Sequence, residues 1–171
     1  MKRIAIAVFL LTTACPAQSC HPGMDAGYQT PDHACTPGVV DPTIVADLSK
    51  KPHLIAGIEH NICAPDFRTG PFRHTSEAVK KKACAEYGAK GCPGSQWEVD
   101  HVISLELGGA DQVGNLWPEP IHQARIKDHA VEDNLGGPRG LVCQGKMSLR
   151  DAQAGISADW VKYGKKIGTM R

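Results

Sequence analysis

Net charge is the first thing this chain has little of. Its 171 residues carry 19 Lys and Arg against 18 Asp and Glu. That balance argues against tight, unselective binding of duplex nucleic acid, which needs a strongly basic surface to displace counterions. The basic runs that do occur, Lys80-Lys81-Lys82 and Lys162 with Lys165 and Lys166, read as solvated faces. A CxxC pair is also missing, which argues against a structural zinc knuckle despite seven cysteines. Beyond the N-terminus no run is apolar enough to cross a bilayer, and neither a repeat nor a low-complexity tract occurs.

What is present begins with an export signal. Lys2 and Arg3 precede an apolar run from Ile4 to Leu11, and the small residues Thr12, Thr13 and Ala14 follow. This is the pattern of a secretory signal peptide over residues 1–17. Two cleavage routes stay open. Cutting after Ala17 releases a soluble chain, whereas cutting before Cys15 leaves that cysteine for a lipid anchor. Either route places the mature protein in the periplasm or outside the cell, and it is expected to be a monomer. Removing 17 residues from 171 leaves 154, and losing Lys2 and Arg3 leaves 17 basic against 18 acidic side chains. That length suits one domain with a modest core.

Export gives the remaining six cysteines a meaning: Cys20, Cys35, Cys63, Cys84, Cys92 and Cys143 read as a disulfide framework. Six cysteines allow about 15 pairings, and the sequence alone does not choose among them. Closeness along the chain favours Cys20–Cys35 and Cys84–Cys92, leaving Cys63 to Cys143.

The coarse organisation is mixed α and β. Residues 18–42 are rich in Pro, Gly and Cys and read as an irregular arm pinned by Cys20 and Cys35. Residues 43–171 form the folded domain. Asp41-Pro42 suits the start of a helical turn through Leu48, and a strand is expected to end at Ile62-Cys63. The spacing of Ala78, Val79, Ala83 and Tyr87 behind a hydroxyl cap predicts a helix from Thr75 or Ser76 to Tyr87. Alternation predicts a strand over 97–107, broken by Gly108-Gly109. A helix is expected over 121–135, stopped by Gly136-Gly137-Pro138. A last one runs over 149–163, capped by Ser148 and carrying a core stripe of Leu149, Ala152, Ile156, Trp160 and Tyr163.

The chemistry is concentrated in residues 98–120. Asp100-His101 stands at the end of the expected strand, Gly108-Gly109 makes a loop, and Asn115 precedes the next helix. A carboxylate, an imidazole and polar groups at a helix start can hold a divalent ion and activate a water, which is what phosphodiester hydrolysis needs. In this scheme Asp100 is a metal ligand. His101 is the general base, its ordinary pKa of about 6.5 leaving much of it neutral near pH 7. Asn115 bonds across the loop to fix His101. The further ligand is expected from His122 or Gln123 in the first turn of the following helix. Asp with an amide suits Mg²⁺ or Mn²⁺, while Asp with His admits Zn²⁺ or Ni²⁺ as well. Arg68, Arg73 and Lys127 are the candidates for phosphate contacts. Neighbouring strand residues point to opposite faces, so Asp100 and His101 share a site only at a strand end or bulge.

The run Glu98-Val-Asp-His-Val-Ile-Ser-Leu-Glu-Leu-Gly-Gly, with Asn115-Leu-Trp-Pro-Glu-Pro, resembles the HNH endonucleases of the ββα-metal type. It looks most like small bacterial exported HNH-like proteins. Ile62-Cys63 with Arg73, Lys127-Asp128 with Glu132, Val142-Cys143-Gln-Gly with Ala152-Gln153, and Asp159-Trp160 extend the likeness over roughly residues 36 to 163. The resemblance implies an α+β domain with an HNH-like ββα core, additional helices and one divalent metal. In it Asp100 would be ligand, His101 base and Asn115 the middle asparagine of the signature. At the third position His122, Gln123 and Arg125 stand near the expected ligand without a clean match, and Ser104 stands where the group often has Pro. Three functions follow as expectations: an exported metal-dependent endonuclease acting on DNA or RNA; a catalytically inactive module that uses the scaffold for binding; and a disulfide-rich envelope protein.

Overall fold

The computed structural model describes residues 19–46 and 60–171. The signal peptide and Cys15 lie outside the described residues; of the helical turn expected from Asp41-Pro42 through Leu48, residues 44–45 form a strand instead, and 47–48 lie outside the described residues. The chain forms a small α+β domain of three two-stranded sheets and several helices. Three disulfides join Cys20 to Cys35, Cys63 to Cys143, and Cys84 to Cys92. These are the pairs that closeness along the chain favours. Among the described residues no helix is long and apolar enough to cross a membrane.

The arm is more ordered than its composition suggests. Strands β1 (Gly23–Asp25) and β2 (Tyr28–Thr30) form an antiparallel hairpin. Its two-residue turn, Ala26-Gly27, has φ of 46° and 87°, and the right-handed strand twist favours such left-handed turn residues. The hairpin docks on the domain. Tyr28 meets Trp160 edge to face at 5.3 Å, and the Trp160 indole N–H donates to the Gln29 carbonyl at 3.1 Å. Further on, β3 (Ile44–Val45) and β4 (His60–Asn61) pair in parallel.

Helix α1 (Glu77–Glu86) starts where expected, with the Ser76 hydroxyl accepting from the Val79 N–H at 3.3 Å. The central unit follows. Strands β5 (Trp97–His101) and β6 (Leu116–Pro120) are antiparallel, with Asp100 opposite Trp117 and His101 opposite Leu116. Helix α2 (Ile121–Lys127) leaves β6 without a break. It continues through a π-helical segment, Asp128–Glu132, into the short α3 (Asp133–Leu135).

The strand expected over 97–107 therefore ends at His101, and the cause is a side chain. Asn115 takes the place of a ladder partner for Ile103: its Oδ1 accepts from the Ile103 N–H and its Nδ2 donates to the Ile103 carbonyl, each at 2.9 Å. The chain then turns through a 3₁₀ segment at Leu105–Leu107 and the left-handed Gly108, φ 73°.

Helix α4 (Leu149–Lys166) is capped by Ser148, whose hydroxyl accepts from the Asp151 N–H at 3.0 Å. It kinks at Asp159, whose carboxylate accepts from the Val161 and Lys162 N–H groups at 3.0 Å and so caps the second part. The main core gathers Ile62, Leu107, Val131, Leu135, Ile156, Trp160 and Val161. A smaller cluster holds Cys20, Tyr87, Val102 and Trp117 behind the β5–β6 pair.

Candidate active site

A polar cleft of about 220 Å³ opens where β5 ends and the π segment begins. Both Asp100 and His101 line it, together with Ser104, Glu106, Asp128 and Glu132. The adjacent pair shares one site because His101 is the last residue of its strand. Beyond it the Val102 N–H bonds to the Asn115 carbonyl and the ladder gives way to the loop.

His101 is 5% exposed. Its Nε2 lies 3.0 Å from Asp111 Oδ1. Burial pushes its pKa down, against the pull of the Asp100 and Asp111 charges, so the ring is neutral at pH 7. Asp111 also accepts from the His74 N–H and the Thr75 hydroxyl. Burial raises the Asp111 carboxyl, but those hydrogen bonds and that of His101 outweigh it and hold it below the usual carboxylate range. Asn115 is wholly buried and binds the loop rather than the ring: besides Ile103 it takes the Val39 N–H at 3.3 Å and reaches the Ala110 carbonyl at 3.0 Å.

Beneath the cleft lies a buried cation. The Lys127 ammonium, 1% exposed, donates to Asp100, to Glu119 Oε2 at 3.0 Å and to the His101 carbonyl at 2.8 Å. Glu132 Oε1 is 3.4 Å away. Burial opposes the Asp100 charge, but the Lys127 charge and hydrogen bonds from Glu119 and Lys127 pull its carboxyl far down. Burial pushes Glu119 and Glu132 up instead, with the Asp100 charge adding to the rise against the attraction of Lys127. The hub thus holds an Asp100–Lys127 ion pair, with Glu119 and Glu132 both pushed toward their protonated forms by burial.

The cleft itself is crowded with acid. Glu98, Asp100, Glu106, Asp128, Glu132 and Asp133 all line it, and among the described residues Arg73 is the only Lys or Arg in its wall. Burial first, then neighbouring carboxylates, raises the pKa of Glu98, Glu106 and Asp128. Oxygens of Asp100, Asp128 and Glu132 lie within 4.8 Å of one another. Ser104 Oγ is buried and takes no hydrogen bond, and Glu132 Oε1 has the Lys127 ammonium at 3.4 Å without a hydrogen bond. An all-oxygen donor set with crowded charge fits a hard divalent ion.

The positions expected from sequence divide accordingly. Asp100, His101 and Arg73 line the cleft. His122 does not: it is exposed on the first turn of α2. Gln123 is buried on the opposite side, with Nε2 donating to Glu119 at 2.7 Å and to the Gln29 carbonyl at 2.8 Å, and Oε1 accepting from the Gln29 N–H at 2.6 Å. In their place the π segment, one turn later, brings Asp128 and Glu132 to Asp100. Lys127 is no surface phosphate contact, because its charge is consumed inside. Arg68 is exposed and turned back on its own loop, donating to the Phe67 carbonyl at 2.7 Å. Sequence reasoning gave no site role to Asp111, Glu119, Asp128 or Glu132, although the last three stand in the segments that carry the resemblance. The four-residue step from Asp128 to Glu132 was a usable signal, since such residues share a helix face. Asp111 had none, for its partners lie 10, 36 and 37 residues away.

No family model matches the chain, and neither the curated proteins nor the solved structures contain a match to it.

Proposed function

We propose that this protein is an exported, disulfide-stapled, metal-dependent endonuclease that hydrolyses phosphodiester bonds of DNA or RNA, with β5, β6 and α2 as an HNH-type ββα unit. One observation carries the reading: a buried imidazole held by a carboxylate shares a cleft with three carboxyl groups converging within 4.8 Å. Asp100, Asp128 and Glu132 would hold the ion, Mg²⁺ or Mn²⁺ by donor type. Bound there, it would neutralise charge on the phosphate and stabilise the departing alkoxide.

The residues of the chain supply the rest. His101 accepts the proton of the attacking water, which its neutral state permits. Arg73 in the cleft wall offers a fixed positive charge to a phosphate, the only Lys or Arg there among the described residues. The acidic wall repels a phosphodiester otherwise, so activity should depend strictly on added cation. Asn115 holds the loop that leaves β5 just after His101.

A second reading, a scaffold retained for binding without catalysis, is favoured by the Lys127 ammonium, which already pairs with Asp100. Cleavage of plasmid DNA and of RNA by the oxidised protein with Mg²⁺ or Mn²⁺ decides between them. The nuclease reading expects metal-dependent cutting that His101→Ala lowers by about 100-fold or more. Equal inactivity of both proteins in every metal would leave only the binding module.

A further inference from the structure

We infer that Asp111 is a positioning residue that fixes His101 in the tautomer with hydrogen on Nε2, leaving the Nδ1 lone pair to take the proton of the attacking water. The inference rests on reading His101 as the base, and it adds a residue outside the Asp-His-Asn set.

Three donors converge on this one carboxylate. The His74 N–H reaches Oδ2; the Thr75 hydroxyl and His101 Nε2 reach Oδ1. An ionised carboxylate only accepts, so the ring nitrogen facing it must carry the hydrogen. In its neutral form the ring has one hydrogen, so this contact leaves Nδ1 bare. The Asp111 side chain is only 9% exposed and that of His101 7%, so water competes poorly for the bond. The same carboxylate ties residues 74 and 75 to the loop, which steadies the backbone next to Arg73 at the cleft rim.

The geometry also says what Asp111→Asn would do. The backbone N–H of His74 can only donate, so the amide oxygen must stay opposite it. The amide NH₂ then occupies the Oδ1 place and faces His101 Nε2. Two donors cannot share that contact, and the ring must move its hydrogen to Nδ1. The variant keeps the fold and the ring and removes the lone pair where it is needed. In proton-transfer steps a lost base is worth about 100-fold or more.

The test is the ¹⁵N spectrum of the His101 ring at pH 8 in the intact oxidised protein, free of metal, where protonated and bare ring nitrogens resonate far apart. The wild type should show hydrogen on Nε2 and a bare Nδ1; Asp111→Asn should show the reverse, with kcat lowered about 100-fold and KM little changed. Hydrogen on Nδ1 in the wild type overturns the inference, and that measurement stands even if the variant fails to fold. An unaltered tautomer in a folded Asp111→Asn overturns it equally. A wild type with the expected tautomer but no cleavage under any condition would sink the nuclease reading and leave the positioning role of Asp111 intact.

Discussion

Replacing Lys127 with Met should unfold much of what holds the site together. The ammonium is 1% exposed and stands among Asp100, Glu119 and Glu132. Methionine keeps the length of the chain and removes only the charge and its donors. Removing one partner of a buried ion pair costs about 3–5 kcal/mol, because the other is left uncompensated. In a domain of this size each kcal/mol moves Tm by about 2–4 °C, so a drop of roughly 6–20 °C is expected. The sign with pH is also set. Without Lys127 the Asp100 carboxyl, now held far below its usual range, rises and takes up a proton in the folded state. The loss should be largest near pH 8 and shrink toward pH 5, where the carboxyls are protonated. Lys127 is charged throughout that range, its own pKa being raised well above 10.5 once the surrounding carboxylates outweigh burial. Thermal unfolding of both oxidised proteins across that range measures this directly. An unchanged Tm, or a loss independent of pH, would refute the ionic hub.

Two further outcomes follow from the same region. Asn115→Ala strands the Ile103 N–H and carbonyl and the Ala110 carbonyl; at about 1–3 kcal/mol for each buried unpaired group, urea unfolding should show a loss of at least about 3 kcal/mol. A loss under about 1 kcal/mol would mean that the loop does not depend on that amide. Burial drives Glu119 up to about 8 from 4.5 against the attraction of Lys127, with Asp100 adding to the rise. Between these values the folded state binds the extra proton, so Glu119 makes stability fall as pH rises from about 4.5 to about 8, then level off. Glu119→Gln removes that slope, a difference of at most about 5 kcal/mol at about 1.36 kcal/mol per pH unit. Equal pH slopes for the variant and wild type in urea unfolding would contradict the assignment of the proton to Glu119.

Local signals survived translation into structure, and long-range ones did not. Ser76 and Ser148 cap α1 and α4 because a cap needs only residues three positions away. The disulfides follow sequence proximity: the two short loops, with separations of 15 and 8 residues, account for four cysteines and leave Cys63 with Cys143. The expected strand ran too far, since alternation in Val99, Ile103 and Leu105 carries no mark of Asn115 reaching across to end the ladder. The Ala26-Gly27 turn was invisible because Ala rarely adopts a positive φ. Lys127 looked like a surface charge: its partners come from β5, β6 and the next helical turn, and no spacing rule joins them. His122 and Gln123 sat at the right distance from Asn115 along the chain. The π segment, however, delays the ligating face by one turn, to Asp128 and Glu132, and π segments cluster at functional sites.

Mn²⁺ titration of the oxidised protein at pH 8, followed by electron paramagnetic resonance, tests most directly whether the acidic cleft is a metal centre. One saturable site is expected, abolished by Asp128→Asn and by Glu132→Gln in variants whose circular dichroism matches the wild type. Absence of saturable binding, or binding indifferent to both substitutions, would contradict the account.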